Sequence, residues 1–347
     1  MRITQLMLAK GFGGAERYFV DLSLALAELG HEVQAICHRR FRALNRLQHV
    51  PGLRLCTFSP YGWWDALARR KIQAAIDGFR PEVVHAHLAR GAYVAGRICA
   101  SLRAPLVVKL HNYADLKYYR HVDLFITTTQ DQRCYLLERG IDASRIRIIP
   151  NFSSLAPVDA PPVPEGNALV MAAYGRLVHK KGFHVLLRAF RTLADAHPLA
   201  ILHIGGDGPE QGQLESLCRQ LDLGGRVRFI GWVDDVRVFL GQSDIFVLPS
   251  LDEPFGIAVL EAMAMGKPIV ATRTRGPLEI LDDSLAYLVN PGDVDDLART
   301  LCLAAADAGG RLQKAAASLA LFKRKYAREA VVPVLIKAYQ ALSKPGK

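Results

Sequence analysis

Nowhere in these 347 residues is there an uninterrupted apolar run of about 18, the length a helix needs to cross a bilayer. The opening Met1-Arg-Ile-Thr-Gln-Leu-Met-Leu is too short for a secretory segment and lacks a small-residue cleavage site, so no signal peptide is expected. The six cysteines (Cys37, Cys56, Cys99, Cys134, Cys218, Cys302) contain no Cys-x-x-Cys, which removes the usual zinc and dithiol patterns. Scattered in apolar surroundings, they read as buried free thiols of a reducing compartment, and a cytoplasmic protein is expected. His85-Ala-His87 sets two imidazoles on one face of a strand end, but no third ligand of suitable spacing accompanies them. Asp293-Val-Asp295 follows Pro291-Gly292 and opens an apolar helix, where capping accounts for it. No essential metal is expected. The pI near 9.5 comes without any nucleic-acid recognition motif, so no nucleic acid is expected as a partner.

What the chain does have is apolar residues, half of the total, and a length that favours two domains over one core. Its charge is unevenly divided. Residues 1–150 carry 22 Lys+Arg against 12 Asp+Glu, a net of +10, while residues 151–347 carry 22 against 21. Such an asymmetry calls for an anionic partner on the first half: a phospholipid surface, a phosphorylated glycan or nucleic acid. Arg39, Arg40, Arg42 and Arg46 form one basic cluster; Arg69, Arg70 and Lys71 form another, beside Tyr61-Gly-Trp63-Trp64. Aromatics next to basic residues on a helix make a membrane-interface pattern, and a solvated face explains each cluster equally well.

Short apolar strands alternate with helical spacing along the chain. Ile3–Leu8, Val33–Cys37, Val83–Ala86, Leu106–Leu110, Leu124–Thr128 and Ile146–Ile149 read as strands. Helices are expected over Ala15–Leu29, Trp64–Ile76, Gly91–Leu102 and Asp131–Arg139. Pro157, Pro161, Pro162 and Pro164 then interrupt the alternation, as an interdomain linker would. It resumes at Leu169 and ends in helices 294–306, 311–322 and 328–342. Alternation of this kind means parallel sheets covered by helices. The boundaries are an N-terminal domain over 1–152, a linker over 153–167, a C-terminal domain over 168–325, and a last helix in 326–347.

One stretch organises the rest: Pro249-Ser-Leu-Asp-Glu253-Pro-Phe255-Gly256-Ile257-Ala-Val-Leu-Glu261. Asp244–Leu248 before it is a buried strand that Pro249 ends. Pro254 and Gly256 set a turn, and residues 257–265 have the composition of a buried helix. Amides near Gly256 and Ile257 are free to hold an anion at the helix start. Glu261, two turns on, can accept hydrogen bonds from a diol, as acidic residues do for a ribose. Phosphate on the amides and a diol on the carboxylate describe a nucleotide sugar.

This stretch resembles the Glu-x7-Glu signature of retaining glycosyltransferases of the GT-B fold, specifically family 4. The resemblance implies two Rossmann-like, doubly wound parallel-sheet domains facing across a cleft, with the last helix returning to the first domain. It places Glu253 by the donor sugar and Glu261 on the ribose, with Phe255 in the same donor loop. Gly11-Phe-Gly13-Gly14-Ala-Glu16 departs from a dinucleotide fingerprint, since Glu16 stands where the third glycine belongs. It resembles instead the family's Gly-Gly-Ala-Glu loop, which makes Gly13 and Gly14 donor-binding. Gly175-Arg176-Leu-Val-His-Lys180-Lys181-Gly182 resembles the Gly-Arg-Leu…Lys-Gly motif, so Arg176 and Lys181 neutralise the diphosphate and Lys180 is off register. By the same match Gly206 lines the phosphates, the Val233 backbone meets the base and His111 contacts the donor sugar. Arg273-Thr-Arg275-Gly276-Pro277 departs from the family's glycine pair before Pro and adds two cations, available to the donor or to a phosphorylated acceptor.

The implied activity is retaining, metal-independent transfer from a nucleoside-diphosphate sugar (UDP- first, then GDP- or ADP-) to a glycolipid or phosphorylated glycan. A bacterial lipopolysaccharide or other surface polysaccharide is the expected acceptor class, at an anionic membrane surface on the inner face of the cytoplasmic membrane. A sugar-nucleotide epimerase of the same fold and a non-catalytic nucleotide-sugar-binding protein are the alternatives.

Overall fold

A computed structural model describes residues 1–11, 13–62, 65–102, 104–113, 115–163 and 168–343. The chain divides into two compact units: Met1–Ser154 together with the C-terminal segment from Arg328, and Leu155–Ala327.

The first unit holds a seven-stranded parallel sheet of β1 (Arg2–Met7), β2 (Glu32–His38), β3 (Leu53–Phe58), β4 (Val83–His87), β5 (Leu106–Lys109), β6 (Leu124–Thr127) and β7 (Ile146–Ile148). Its spatial order is β3-β2-β1-β4-β5-β6-β7. The second unit holds β8 (Val170–Tyr174), β9 (Ile201–Gly205), β10 (Val227–Gly231), β11 (Ile245–Leu248), β12 (Ile269–Thr272) and β13 (Tyr287–Val289), in the order β10-β9-β8-β11-β12-β13. In each sheet the chain winds outward in one direction, returns to the middle and winds the other way. The reversal lies between β1 and β4 in the first unit and between β8 and β11 in the second. Ligands of open α/β sheets bind at the carboxyl ends of the strands at such a reversal.

The central strands are buried on both faces because helices cover both; every residue of β4, β5 and β11 is buried, His85, His87 and Lys109 included. The edge strands β3 and β13 have no counterpart in the strands expected from the sequence. β3 is only half-buried, alternates Leu53, Leu55 with Arg54, and pairs with β2 alone, so its pattern is too weak to separate from a loop. The third helix starts at Leu88 rather than Gly91, because Leu88 takes a left-handed backbone (φ 59°) and turns β4 directly into the helix. The expected start at Trp64 lies outside the described residues; that helix runs Ala66–Phe79, capped by Asp65 on the Ala68 amide at 2.9 Å.

Much of the Pro-rich stretch is docked on the second unit. The Val158 amide donates to the Ala264 carbonyl at 2.9 Å, and Lys323 Nζ to the Asp159 carbonyl at 3.1 Å. A Cβ on Gly266 would sit 2.9 Å from Pro161 Cα, so the turn there must be glycine. The helix Arg328–Ser343 packs Val331, Val332, Leu335 and Tyr339 among Tyr18, Leu22, Val83 and Val107 of the first unit. No helix among the described residues is long and apolar enough to cross a membrane. Of the six thiols, Cys134 is exposed against expectation, on the outer side of a two-turn helix; Cys37, Cys99 and Cys218 are buried.

Candidate active site

In the second unit β8 and β11 are hydrogen-bonded neighbours, and the loops that leave their carboxyl ends carry the residues singled out from the sequence. After β11, Pro249-Ser250 lies against the Gly182 turn that follows β8. A Cβ on Gly182 would meet the Pro249 carbonyl oxygen at 2.0 Å, and its φ of 68° is left-handed, so only glycine fits. The Leu251 amide closes the junction by donating to the Lys180 carbonyl at 2.8 Å. This close approach delivers Lys181 to Glu253, with which it forms an ion pair and hydrogen bond. The buried Ser250 hydroxyl adds a second donor to the same carboxylate oxygen at 3.3 Å. Lys180 lies 4.0 Å from Asp252 with both side chains largely exposed. The two lysines thus go to different carboxylates.

Gly256 caps the helix Ile257–Ala264 with a left-handed backbone (φ 98°), which lets the chain turn so that Glu253 lies beside the helix start. Gly276 fits beneath this loop: a Cβ there would be 2.3 Å from Phe255 Cα, and its amide donates to the Glu253 carbonyl at 2.9 Å. Glu261 is 1% exposed and accepts a hydrogen bond from the Tyr174 hydroxyl at the end of β8. The Tyr174 ring is fixed edge-on by Phe239 at 5.6 Å. Arg176, two residues past β8, is exposed on the same strand end.

The remaining donor-loop residues have structural duties of their own. The Gly206 amide donates to the Gly231 carbonyl at 2.6 Å, and a Cβ on Gly206 would clash with the Gly175 carbonyl oxygen at 1.9 Å. Val233 packs its side chain on Gly205 and leaves its backbone at the β9–β10 edge. Arg273 is tied to Asp283 at 2.8 Å, which accounts for one of the two extra cations. Asp293 caps its helix through the Asp296 amide at 2.8 Å.

In the first unit the carboxyl ends of β1, β4 and β5 border a cavity of about 490 Å³, lined by Leu8, Lys10, His87, Arg90 and Asn112 among others. Gly13 and Gly14 open the helix that follows β1, and the Glu16 carboxylate turns back onto the Gly13 amide at 3.0 Å. Glu16 is thereby spent on helix capping, which is the physical reason a carboxylate stands where a dinucleotide fingerprint has glycine. Phe12 lies outside the described residues. His111, just past β5, is half-buried and sits 3.1 Å from His87 Nδ1 through its Nε2. His87 Nε2 is 2.7 Å from Gln5 Oε1, and the Gln5 amide reaches the Tyr339 hydroxyl, which in turn meets His85 Nδ1 at 2.6 Å.

Burial, with neighbouring positive charge, keeps these imidazoles neutral. Burial and then Lys109 bring His87 down to about 3; burial first, then the other imidazoles and Lys109, hold His85 and His111 well below the usual histidine range. Lys109 is itself fully buried, and desolvation lowers its amine well below the ordinary lysine value. It donates to the Ile149 carbonyl at 2.8 Å and lies 4.4 Å from the centre of the Tyr18 ring. The two imidazoles of His85-Ala-His87 are therefore hydrogen-bonded parts of a buried network, and no group of three metal-ligating side chains occurs among the described residues. Tyr174, Ser250 and Gln5 were missed from sequence. Tyr174 ends β8, Gln5 lies inside β1 and Ser250 sits in the loop after β11, and no motif marks the pairing of any of them with its partner.

Residues 12–156 match the family described as Glycosyltransferase Family 4, and residues 159–318 match Glycosyl transferases group 1. The lipopolysaccharide core biosynthesis glycosyltransferase LpsE of Rhizobium meliloti (strain 1021) is 32% identical over 95% of this chain and 96% of its own. LpsD of the same organism is 32% identical over 83% and 84%. The crystal structure of Anabaena HepE in complex with UDP and glucose superposes with a TM-score of 0.83 at 21% identity, covering 98% of this chain and 100% of that one. With two parallel-sheet units whose switch-point loops carry these motifs, and with likeness to LpsE along nearly its whole length, this chain belongs to the group 1 (family 4) glycosyltransferases of GT-B fold.

Proposed function

We propose that this glycosyltransferase is a retaining enzyme that moves a sugar from a nucleoside-diphosphate sugar to a glycolipid or glycan acceptor of the lipopolysaccharide core. The observation that carries this reading is the gathering at one strand edge of the Lys181–Glu253 pair, the buried Glu261 and the Gly256 helix start. Relatives named for lipopolysaccharide core biosynthesis support the acceptor class, and HepE solved with UDP and glucose supports a UDP-sugar donor.

Arg176, Lys181 and the amides of Gly256 and Ile257 stabilise the leaving diphosphate as charge grows on it. Glu261 holds the ribose, Val233 meets the base through its backbone, Gly206 binds on the phosphate side, and Gly13 and Gly14 bind the donor. Phe255 walls the donor loop. Glu253 and His111 orient the sugar. The acceptor hydroxyl attacks on the face the diphosphate leaves, and a donor phosphate oxygen takes its proton, so the anomeric configuration is kept. With Arg176 and Lys181 supplying the positive charge, the transfer runs without a metal ion.

The basic first half serves the acceptor. Tyr61 is 94% exposed, and Leu67, Arg70 and Lys71 are exposed near it, a surface suited to an anionic membrane; Trp63 and Trp64 lie outside the described residues. Binding to anionic vesicles should weaken steeply as salt rises.

The decisive experiment starts with thermal shift against UDP-, GDP- and ADP-sugars, since a ligand of the folded state raises the midpoint by mass action. The selected donor is then incubated with truncated lipopolysaccharide in EDTA, and the new linkage is read by NMR. A product of inverted configuration, a reaction abolished by EDTA, or a donor sugar epimerised with no acceptor present would each sink the reading.

A further inference from the structure

The imidazoles of the first unit form one hydrogen-bonded line, His85–Tyr339–Gln5–His87–His111, from the C-terminal helix to the end of β5. The lengths set the direction of the Tyr339 bonds, and the other directions follow in turn. The Tyr339 oxygen lies 2.6 Å from His85 Nδ1 and 3.5 Å from Gln5 Nε2. A hydroxyl donates at roughly 2.7 Å, so its proton points at His85 and the Gln5 N–H is the donor on the long side. Gln5 Oε1 then faces His87 Nε2 at 2.7 Å, and that nitrogen must carry the His87 proton. His87 is neutral, which leaves its Nδ1 a bare acceptor. His111 Nε2, 3.1 Å away, is consequently the donor. The other nitrogen of His111, Nδ1, holds no proton and makes no hydrogen bond to the protein among the described residues.

We propose that Gln5 and His87 are positioning residues that fix His111 as a hydrogen-bond acceptor at Nδ1, so that the ligand group it meets is a donor such as a sugar hydroxyl. This rests on His111 being the residue that orients the donor sugar. A proton-free ring nitrogen is repelled by the lone pairs of a carboxylate or an ether oxygen, so the site selects a sugar with a free hydroxyl at that position. The surroundings reinforce the choice. Lys109 from β5, Tyr18 from the first helix, and Tyr339 and His85 face the line, and none of these is a carboxylate that would stabilise an imidazolium. The C-terminal helix, through Tyr339, is thereby a part of what sets the protonation of a residue 228 positions earlier.

Nitrogen-15 NMR of the full-length chain labelled at histidine tests this directly, with His111→Asn identifying the His111 signals. The expected result is a protonated Nε2 and an unprotonated Nδ1 for His111 throughout pH 6–8. Gln5→Leu should shift His111 to a mixture of tautomers, and Gln5→Glu, whose carboxylate favours a His87 imidazolium that donates from Nδ1, should move the His111 proton to its own Nδ1. A protonated Nδ1 in the wild type overturns the assignment, as does a Gln5→Leu spectrum identical to wild type. Unchanged UDP-glucose affinity and turnover in His111→Ala would instead remove only the sugar-orienting reading, because the wild-type nitrogen shifts still decide the acceptor assignment.

Discussion

The two units share a winding pattern, a sheet reversed at its middle, but equip the strand ends at the reversal with opposite chemistry. The first unit presents an uncharged line of imidazoles, amide and phenol beside a buried amine. The second presents an ion pair at partial exposure and a carboxylate tied to a hydroxyl. The difference shows that the fold fixes only where a ligand can lie, while residue choice fixes whether hydroxyls or growing charge are handled there. A neutral acceptor suits recognition of a sugar hydroxyl. Cations held by a carboxylate suit a leaving diphosphate.

If that division is real, the largest effect on chemistry belongs to the second unit. Lys181→Met should lower kcat about 10²–10³-fold, as loss of a preorganised donor to developing charge does, measured in single-turnover transfer. Turnover within a few-fold of wild type would erase the contrast. Gly182→Ala comes next. Its Cβ would fall 2.0 Å from the Pro249 carbonyl oxygen at a left-handed φ, so a loss of about 1–3 kcal/mol in urea unfolding is expected, together with reduced kcat because Lys181 moves with the turn.

In the first unit the expected effects fall on stability. Lys109→Met keeps the apolar shape but strips the Ile149 and Pro150 carbonyls of their donor, which should cost about 1–3 kcal/mol in the same unfolding measurement. The smallest and most specific effect is a pH slope. His85, His87 and His111 have folded values below the ordinary 6.5, His87 at about 3, so the unfolded chain binds more protons between about pH 3 and 6.5. Their contribution to stability is therefore intact above 6.5 and is lost as pH falls towards 3. Urea midpoints at pH 7, 6 and 5 should fall in the wild type and fall less in His87→Gln. Parallel slopes would show that the network is not the source.

The parts legible in the sequence are those set by short-range rules. Apolar runs too short for helices gave the central strands, Gly256 marked the turn before its helix, and the eight-residue step from Glu253 to Glu261 put both carboxylates on one loop-and-helix edge. Edge strand β3 escaped because a half-buried strand carries a diluted pattern. The Pro-rich stretch gave no sign that Val158 and Asp159 find hydrogen-bond partners about 106 and 164 residues away.

Periodicity settled the α/β alternation, and the resemblance of the Glu253–Glu261 stretch carried the family and its doubly wound sheets, because each depends on neighbours along the chain. Tertiary structure alone decided that Tyr174 meets Glu261, that Lys181 rather than Lys180 meets Glu253, and that Gln5, His87 and Tyr339 line up behind His111. Those pairings join strands, loops and helices that are adjacent in space but distant in the chain. Side-chain protonation, which follows from burial and partner direction, exists only once they are made.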